Sequence, residues 1–192
     1  MIVCFGDSLT AGYGAEASQS YPSLLRRRVT VPVFNAGISG ENTADALLRI
    51  QRDVLDRDPG LVIVEFGAND FLQGLYNGAI DVDGIRSRFR TMLNKLSDGK
   101  RKIFVVKFYI YDMIRAYLNG DNIEVYDAFE QMFASLKEEY PIEIIENIWD
   151  GIWGRPELMS DNIHPNAAGY RKMAELYFKA IDPWLKENNL LK

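Results

Sequence analysis

The sequence predicts a three-layer α/β/α sandwich around a parallel sheet of about five strands, and three observations carry that prediction. Five short apolar runs rich in Val, Ile and Phe recur along the chain, amphipathic helical patterns separate them, and no linker, repeat or low-complexity segment breaks the alternation. Apolar strands without a polar face belong to a sheet covered by helices on both sides.

The elements follow in order. The first strand is read at residues 1 to 5, Met1-Ile2-Val3-Cys4-Phe5, and it runs directly into Gly6-Asp7-Ser8-Leu9-Thr10. A helix is predicted over residues 21 to 29, a strand over 31 to 35 and a helix over 43 to 57, where Glu41 and Asn42 are suited to start it. The third strand spans residues 61 to 66, followed by a helix over 85 to 97 and a strand over 103 to 108. A helix over 125 to 140 leads to the last strand, 142 to 146. The final helix, 166 to 188, is marked by Ala167, Tyr170, Met173, Ala174 and Tyr177 at helical spacing.

At 192 residues, one domain spanning 1 to 192 is expected to hold a single core. The 22 basic and 27 acidic residues give a net charge of −5, and there is no basic stripe, which argues against a nucleic-acid partner. Arg26-Arg27-Arg28 is too short a cluster to alter that and reads as the solvated end of a helix. No stretch reaches the length of a membrane span, and no charged and apolar leader precedes the first strand. The expectation is a soluble, cytoplasmic protein, although a leader already removed would leave the same sequence. Cys4 is the one cysteine, so no internal disulfide forms, and its place in an apolar strand makes it a structural thiol.

His164 is the only histidine, and it stands three residues after Asp161. Imidazole accepts and returns protons near neutral pH, and a neighbouring carboxylate fixes its tautomer. On a helical turn, positions three apart lie about 5–6 Å from each other, so Asp161 could reach Nδ1 and leave Nε2 for a hydroxyl. The same Asp161-Asn162 pair could equally be a turn or a helix cap. Ser8, at the end of the first strand, is the candidate nucleophile. In open α/β sheets ligands bind beyond the carboxyl ends of the strands, and the polar, glycine-rich segments here all fall at that edge. Gly6-Asp7-Ser8-Leu9 follows the first strand, Ala36-Gly37-Ile38-Ser39-Gly40-Glu41-Asn42 the second, Gly67-Ala68-Asn69-Asp70 the third, and Asp161 with His164 the last. Turn chemistry accounts for each glycine separately. Together, the Ser8 N–H, the Gly40 N–H and the Asn69 amide are the parts of an oxyanion hole.

These residues resemble, in order, the four motif blocks of the GDSL or SGNH hydrolases: Gly6-Asp7-Ser8-Leu9, Gly40, Gly67-x-Asn69-Asp70 and Asp161-x-x-His164. The similarity spans about the whole chain. It is greatest to the bacterial thioesterase, arylesterase and lysophospholipase branch, through Ser20-Tyr21-Pro22, Asn35-Ala36-Gly37-x-Ser39-Gly40, Leu158-Met159 and Pro165-Asn166. The resemblance implies a flavodoxin-like sheet, a Ser8-His164-Asp161 triad, and an oxyanion hole from Ser8, Gly40 and Asn69. It also implies a small-molecule ester or thioester substrate, no metal and no cofactor. The chain departs from the branch at Phe71, where glycine is common, which would narrow the pocket mouth.

Other chemistries lack their motifs. There is no G-x-S-x-G elbow, no H-E-x-x-H, and no His/Cys cluster, while Gly12-Tyr13-Gly14 is followed by Ala17 instead of the third glycine of a dinucleotide loop. Asp7 and Asp70 are expected to bind backbone amides that hold the catalytic loops. Three aromatic-rich loops converge on the same edge and supply candidate substrate contacts in Phe71, Tyr109, Trp149, Trp153 and Met159; an equal alternative is that these residues bury to anchor the loops. An acetyl or carbohydrate esterase of the same fold, and a flavodoxin-like binding module without catalysis, are the competing functions.

Overall fold

The computed structural model describes residues 1–120 and 122–192. Among the described residues, β1 (Ile2–Gly6), β2 (Val33–Gly37), β3 (Leu61–Glu65), β4 (Lys102–Val106) and β5 (Ile142–Ile145) form one parallel sheet in the order β2-β1-β3-β4-β5. The predicted three-layer, five-stranded architecture is therefore the observed one.

The alternation of side chains along each strand divides the core into two layers. Val3 and Phe5 of β1 and Val62 and Val64 of β3 pack with α3 (Thr43–Asp53), α5 (Val82–Leu96) and α7 (Ile123–Glu139). Ile2, Cys4, Leu61 and Ile63 face the other way, onto α2 (Tyr21–Arg26) and α8 (Ala167–Glu187). Cys4 is fully enclosed, and burial pushes its thiol up to about 12, so it stays protonated as a structural residue.

Several boundaries differ from expectation for local reasons. β2 begins at Val33 instead of residue 31, because Pro32 has no N–H to donate; its carbonyl instead accepts from the Ile2 N–H at 2.8 Å. α3 stops at Asp53, and residues 55 to 57 tighten into a 3₁₀ turn that ends in left-handed Asp58. α8 starts at Ala167 because the Asn166 side chain accepts from the Ala168 and Gly169 N–H groups. The larger difference lies in two of the segments expected to be loops. Residues carrying Phe71 and Leu72 form α4 (Ala68–Tyr76), and those carrying Met113 and Tyr117 form α6 (Tyr111–Tyr117). A four-residue helix, α1 (Ser8–Ala11), follows β1 at once.

β1 connects to β2 on one side and has β3 on the other, so the strand order reverses between β1 and β3. Ser8 follows β1 and Asn69 follows β3, which sets both at that switch point.

Candidate active site

The site begins with a glycine that nothing else could replace. A Cβ on Gly6 would lie 2.1 Å from Thr10 Oγ1 and 2.7 Å from the Glu65 carboxyl, so β1 can turn tightly into α1 only with glycine at its end. Asp7 caps α1 by accepting from the Leu9 N–H at 3.0 Å. Ser8 is then the first helical residue, and its N–H has no partner within the helix.

Ser8 Oγ lies 2.9 Å from His164 Nε2, across 156 positions of sequence. The other ring nitrogen, Nδ1, is 2.9 Å from Asp161 Oδ2. An ionised carboxylate only accepts, so Nδ1 carries the proton and Nε2 is free to accept from the serine hydroxyl. The spacing of Asp161 and His164 does not come from a helical turn. Residues 160 to 164 form a bend, closed by the Ser160 N–H to His164 carbonyl bond at 2.8 Å and by a bridge between Met159 and Pro165. Asp161 Oδ1 accepts from the Ile163 N–H at 2.8 Å and the His164 N–H at 2.6 Å. Asp161 is thus both the turn-former and the partner of the imidazole. Its partial burial opposes ionisation, but the bonds from the His164 ring and the two backbone N–H groups prevail and hold its carboxyl below the usual range. Tyr13 rests against the imidazole, with ring centroids 4.6 Å apart.

Asn69 stands in the first turn of α4, after Gly67 at φ 113°. Its Nδ2 donates to the Glu41 carbonyl at 2.8 Å and to Asp7 Oδ2 at 3.2 Å. Gly40 adopts φ 85°, a left-handed conformation that favours glycine, and sits one residue before Glu41. The amide of Asn69 therefore ties the Ser8 loop to the Gly40 loop. Asp70 performs the bracing expected of it, accepting from the Thr43 N–H at 2.9 Å, Thr43 Oγ1 at 2.5 Å and Arg88 at 3.1 Å.

Beside Ser8 and His164 opens a cavity of about 70 Å³ walled by Phe71, Leu72, Phe108, Met113, Tyr117 and Trp149. Phe108 closes against Gly67, where a Cβ would meet its ring at 2.3 Å. Two of the five candidate substrate residues, Phe71 and Trp149, line this cavity. Trp153 and Met159 instead border an open depression beside Asp161 and Asn162. Tyr109 lines neither; it is buried, donates to Glu130 at 2.9 Å and packs on Phe129 and Phe133. Adjacent residues at a strand exit diverge, and here Phe108 takes the cavity side.

Glu65 is a buried neighbour of the Ser8 loop that motif reading passed over, though a glutamate ending Leu-Val-Ile-Val-Glu was a visible signal. It is fully buried under the Ser8 loop and accepts from Thr10 Oγ1 at 2.9 Å and the Asp7 N–H at 3.4 Å. Burial, then the nearness of Asp7, pushes its carboxyl well above the ordinary value and keeps it protonated. Burial also raises Asp7 to about 6, against the pull of the Leu9 N–H.

Comparison with known proteins gives a consistent picture. A model of the GDSL-like Lipase/Acylhydrolase family matches residues 4–172. The chain is 28% identical to an arylesterase of Vibrio mimicus over 91% of its own length and 84% of the relative's. It is 25% identical to thioesterase 1/protease 1/lysophospholipase L1 of Escherichia coli strain K12, covering 98% and 86% of the two chains. Among solved structures, the psychrotrophic esterase EstA from Pseudoalteromonas sp., inhibited by monoethylphosphonate, superposes with a TM-score of 0.79 at 23% identity, over 96% of this chain and 98% of the other.

Proposed function

Since the chain belongs to the GDSL-like lipase/acylhydrolase family and is a carboxylic ester hydrolase, we propose that it works through an acyl-enzyme on Ser8. The observation that carries this reading is the unbroken hydrogen-bonded line from Ser8 Oγ through His164 to Asp161. Ser8 Oγ attacks the acyl carbonyl as His164 Nε2 takes its proton, and Asp161 holds Nδ1–H and balances the imidazolium. The imidazolium then gives that proton to the departing alcohol or thiol. Water attacks the acyl-enzyme with His164 again as base, which restores Ser8.

The negative oxygen of each tetrahedral intermediate is received by the Ser8 N–H, the Gly40 N–H and the Asn69 amide. In the resting site both Asn69 amide hydrogens are engaged, so one must be released, and the 3.2 Å bond to Asp7 is the longer of the two. Asn69→Ala is expected to lower kcat by about 10²–10³. A loss below tenfold in a folded variant would reduce Asn69 to a brace for the Glu41 carbonyl.

The acyl group enters the enclosed cavity, and the wider leaving group stays on the open side. A cavity of about 70 Å³ with aromatic and aliphatic walls suits a short, apolar acyl chain. Aryl esters and thioesters, the classes named in the relatives above, share that acyl end and differ only in the group that departs. Across p-nitrophenyl esters of increasing chain length, turnover is expected to be greatest at the short end and to fall steeply toward dodecanoate. Rising activity toward long chains would overturn the short-acyl assignment, activity confined to acetate would favour an acetyl esterase, and no turnover of any ester would refute the hydrolase reading.

A further inference from the structure

We propose that Arg49 is a positioning residue for the oxyanion site, a single buried guanidinium that sets the spacing of the loops carrying Ser8, Gly40 and Asn69. The proposal rests on the acyl-enzyme reading above.

Arg49 projects from α3 under the carboxyl ends of β1 and β2 and is 5% exposed. Its Nη2 donates to the Gly6 carbonyl at 3.0 Å, two residues before Ser8. Its Nη1 donates to the Ala36 carbonyl at 2.8 Å, in the strand that leads to Gly40, and to Asp53 at 3.1 Å. Its Nε pairs with the carboxylate of Glu41, the residue after Gly40. The backbone carbonyl of that same Glu41 receives the Asn69 amide at 2.8 Å. One planar cation thereby reaches the loop of each oxyanion donor, two directly and the third through Glu41. The guanidinium also lies over the Phe5 ring, 4.6 Å from its centroid, which limits its sideways movement.

A structural clamp between helix and sheet would not need this arrangement. Gly6 and Gly37 are already held in register by the β1–β2 ladder, and a buried cation is a costly way to add stability. What the ladder leaves unfixed is the position of the chain beyond it, and Arg49 grips the last rungs at Gly6 and Ala36 and reaches from there to Glu41, outside the ladder and next to Gly40. Lysine could keep the charge but not the rigid fork of donors. Misplacement of about 1 Å at such a site costs roughly 10²-fold in rate.

Two variants test this. Arg49→Lys is expected to lower kcat by about 10–100-fold with KM within about twofold, at temperatures where circular dichroism shows it folded. Glu41→Gln keeps an oxygen acceptor for Arg49 Nε and leaves Asp53 to balance its charge, and it is expected to lower kcat several-fold at temperatures where circular dichroism shows it folded. In Arg49→Ala, at temperatures where circular dichroism shows it folded, added ethylguanidinium but not butylammonium should restore kcat without raising Tm, which a purely structural role would not produce. Wild-type kcat in both folded Arg49→Lys and Glu41→Gln, or a rise in KM that accounts for the whole loss, would overturn the proposal. Should Arg49→Lys fail to fold, wild-type kcat in Glu41→Gln alone overturns it. Failure of the acyl-enzyme reading is seen separately, in the response of the otherwise native chain to Ser8→Ala.

Discussion

Ser8→Ala is expected to fold as the native chain does and to lose ester hydrolysis by a factor on the order of 10⁴–10⁶. The side chain faces the cavity, and among the described residues its hydroxyl has hydrogen-bond partners in His164 Nε2 at 2.9 Å and Asp7 Oδ1 at 3.5 Å. Removing it leaves the α1 cap and the β1 ladder untouched, so circular dichroism and Tm should scarcely move. The loss should be the same in His164→Ala and no greater in the double variant, because a nucleophile and its base act as one unit. A fluorophosphonate probe provides the second readout. It should attach once per chain, at Ser8, and not at all to Ser8→Ala. Turnover near the native rate in a folded Ser8→Ala protein would exclude Ser8 as the nucleophile.

The carboxyl groups around Ser8 fall into two kinds, set by their surroundings. Asp161 is partly exposed and held ionised by three donors, so it can balance the charge that appears on His164. Asp7 and Glu65 are buried side by side. Burial keeps Glu65 neutral and brings Asp7 up to about 6, so the pair carries less negative charge beneath the Ser8 loop than two ordinary carboxylates would. Asp7 can therefore hold the Leu9 N–H and Asn69 without a second full charge behind it.

The sequence showed most clearly what depends on backbone position. Ser8, Gly40, Asn69 and Asp161-x-x-His164 each follow a strand, and the parallel sheet carries all of those strand ends to one edge. Contacts that depend on side-chain direction were less legible. Phe108 and Tyr109 are adjacent aromatics at the exit of β4, and nothing in their spacing says which one enters the cavity. The segments around Phe71 and Tyr117 looked like loops because Gly74 and Asn77-Gly78 interrupt the first and α6 is only seven residues long; tertiary packing of Phe71 on Tyr117 and Phe129 overrides those weak local signals. Arg49 left no trace at all, since an arginine in an amphipathic helix is ordinarily solvated.

Asp161→Asn is expected to cost about 10⁴ in kcat while leaving the bend intact, and the hydrogen bonds say why. One oxygen of the native carboxylate accepts from the Ile163 and His164 N–H groups and lies 3.1 Å from Nδ1, while the other is the nearer partner of the imidazole at 2.9 Å. An amide has a single oxygen. If it serves the two backbone N–H groups, as the bend requires, the NH₂ must face Nδ1. An NH₂ only donates, so Nδ1 has to become the acceptor and the ring proton moves to Nε2. That nitrogen then points a hydrogen at Ser8 Oγ and cannot take the serine proton. The charge that would have stabilised the imidazolium is lost as well. Because His164 is the chain's only histidine, its ring gives one set of imidazole signals in nitrogen-detected NMR, and the tautomer should be seen to switch from Nδ1–H to Nε2–H. Native kcat with the Nδ1–H tautomer retained in Asp161→Asn would remove Asp161 from the catalytic line and leave it only its role in the turn.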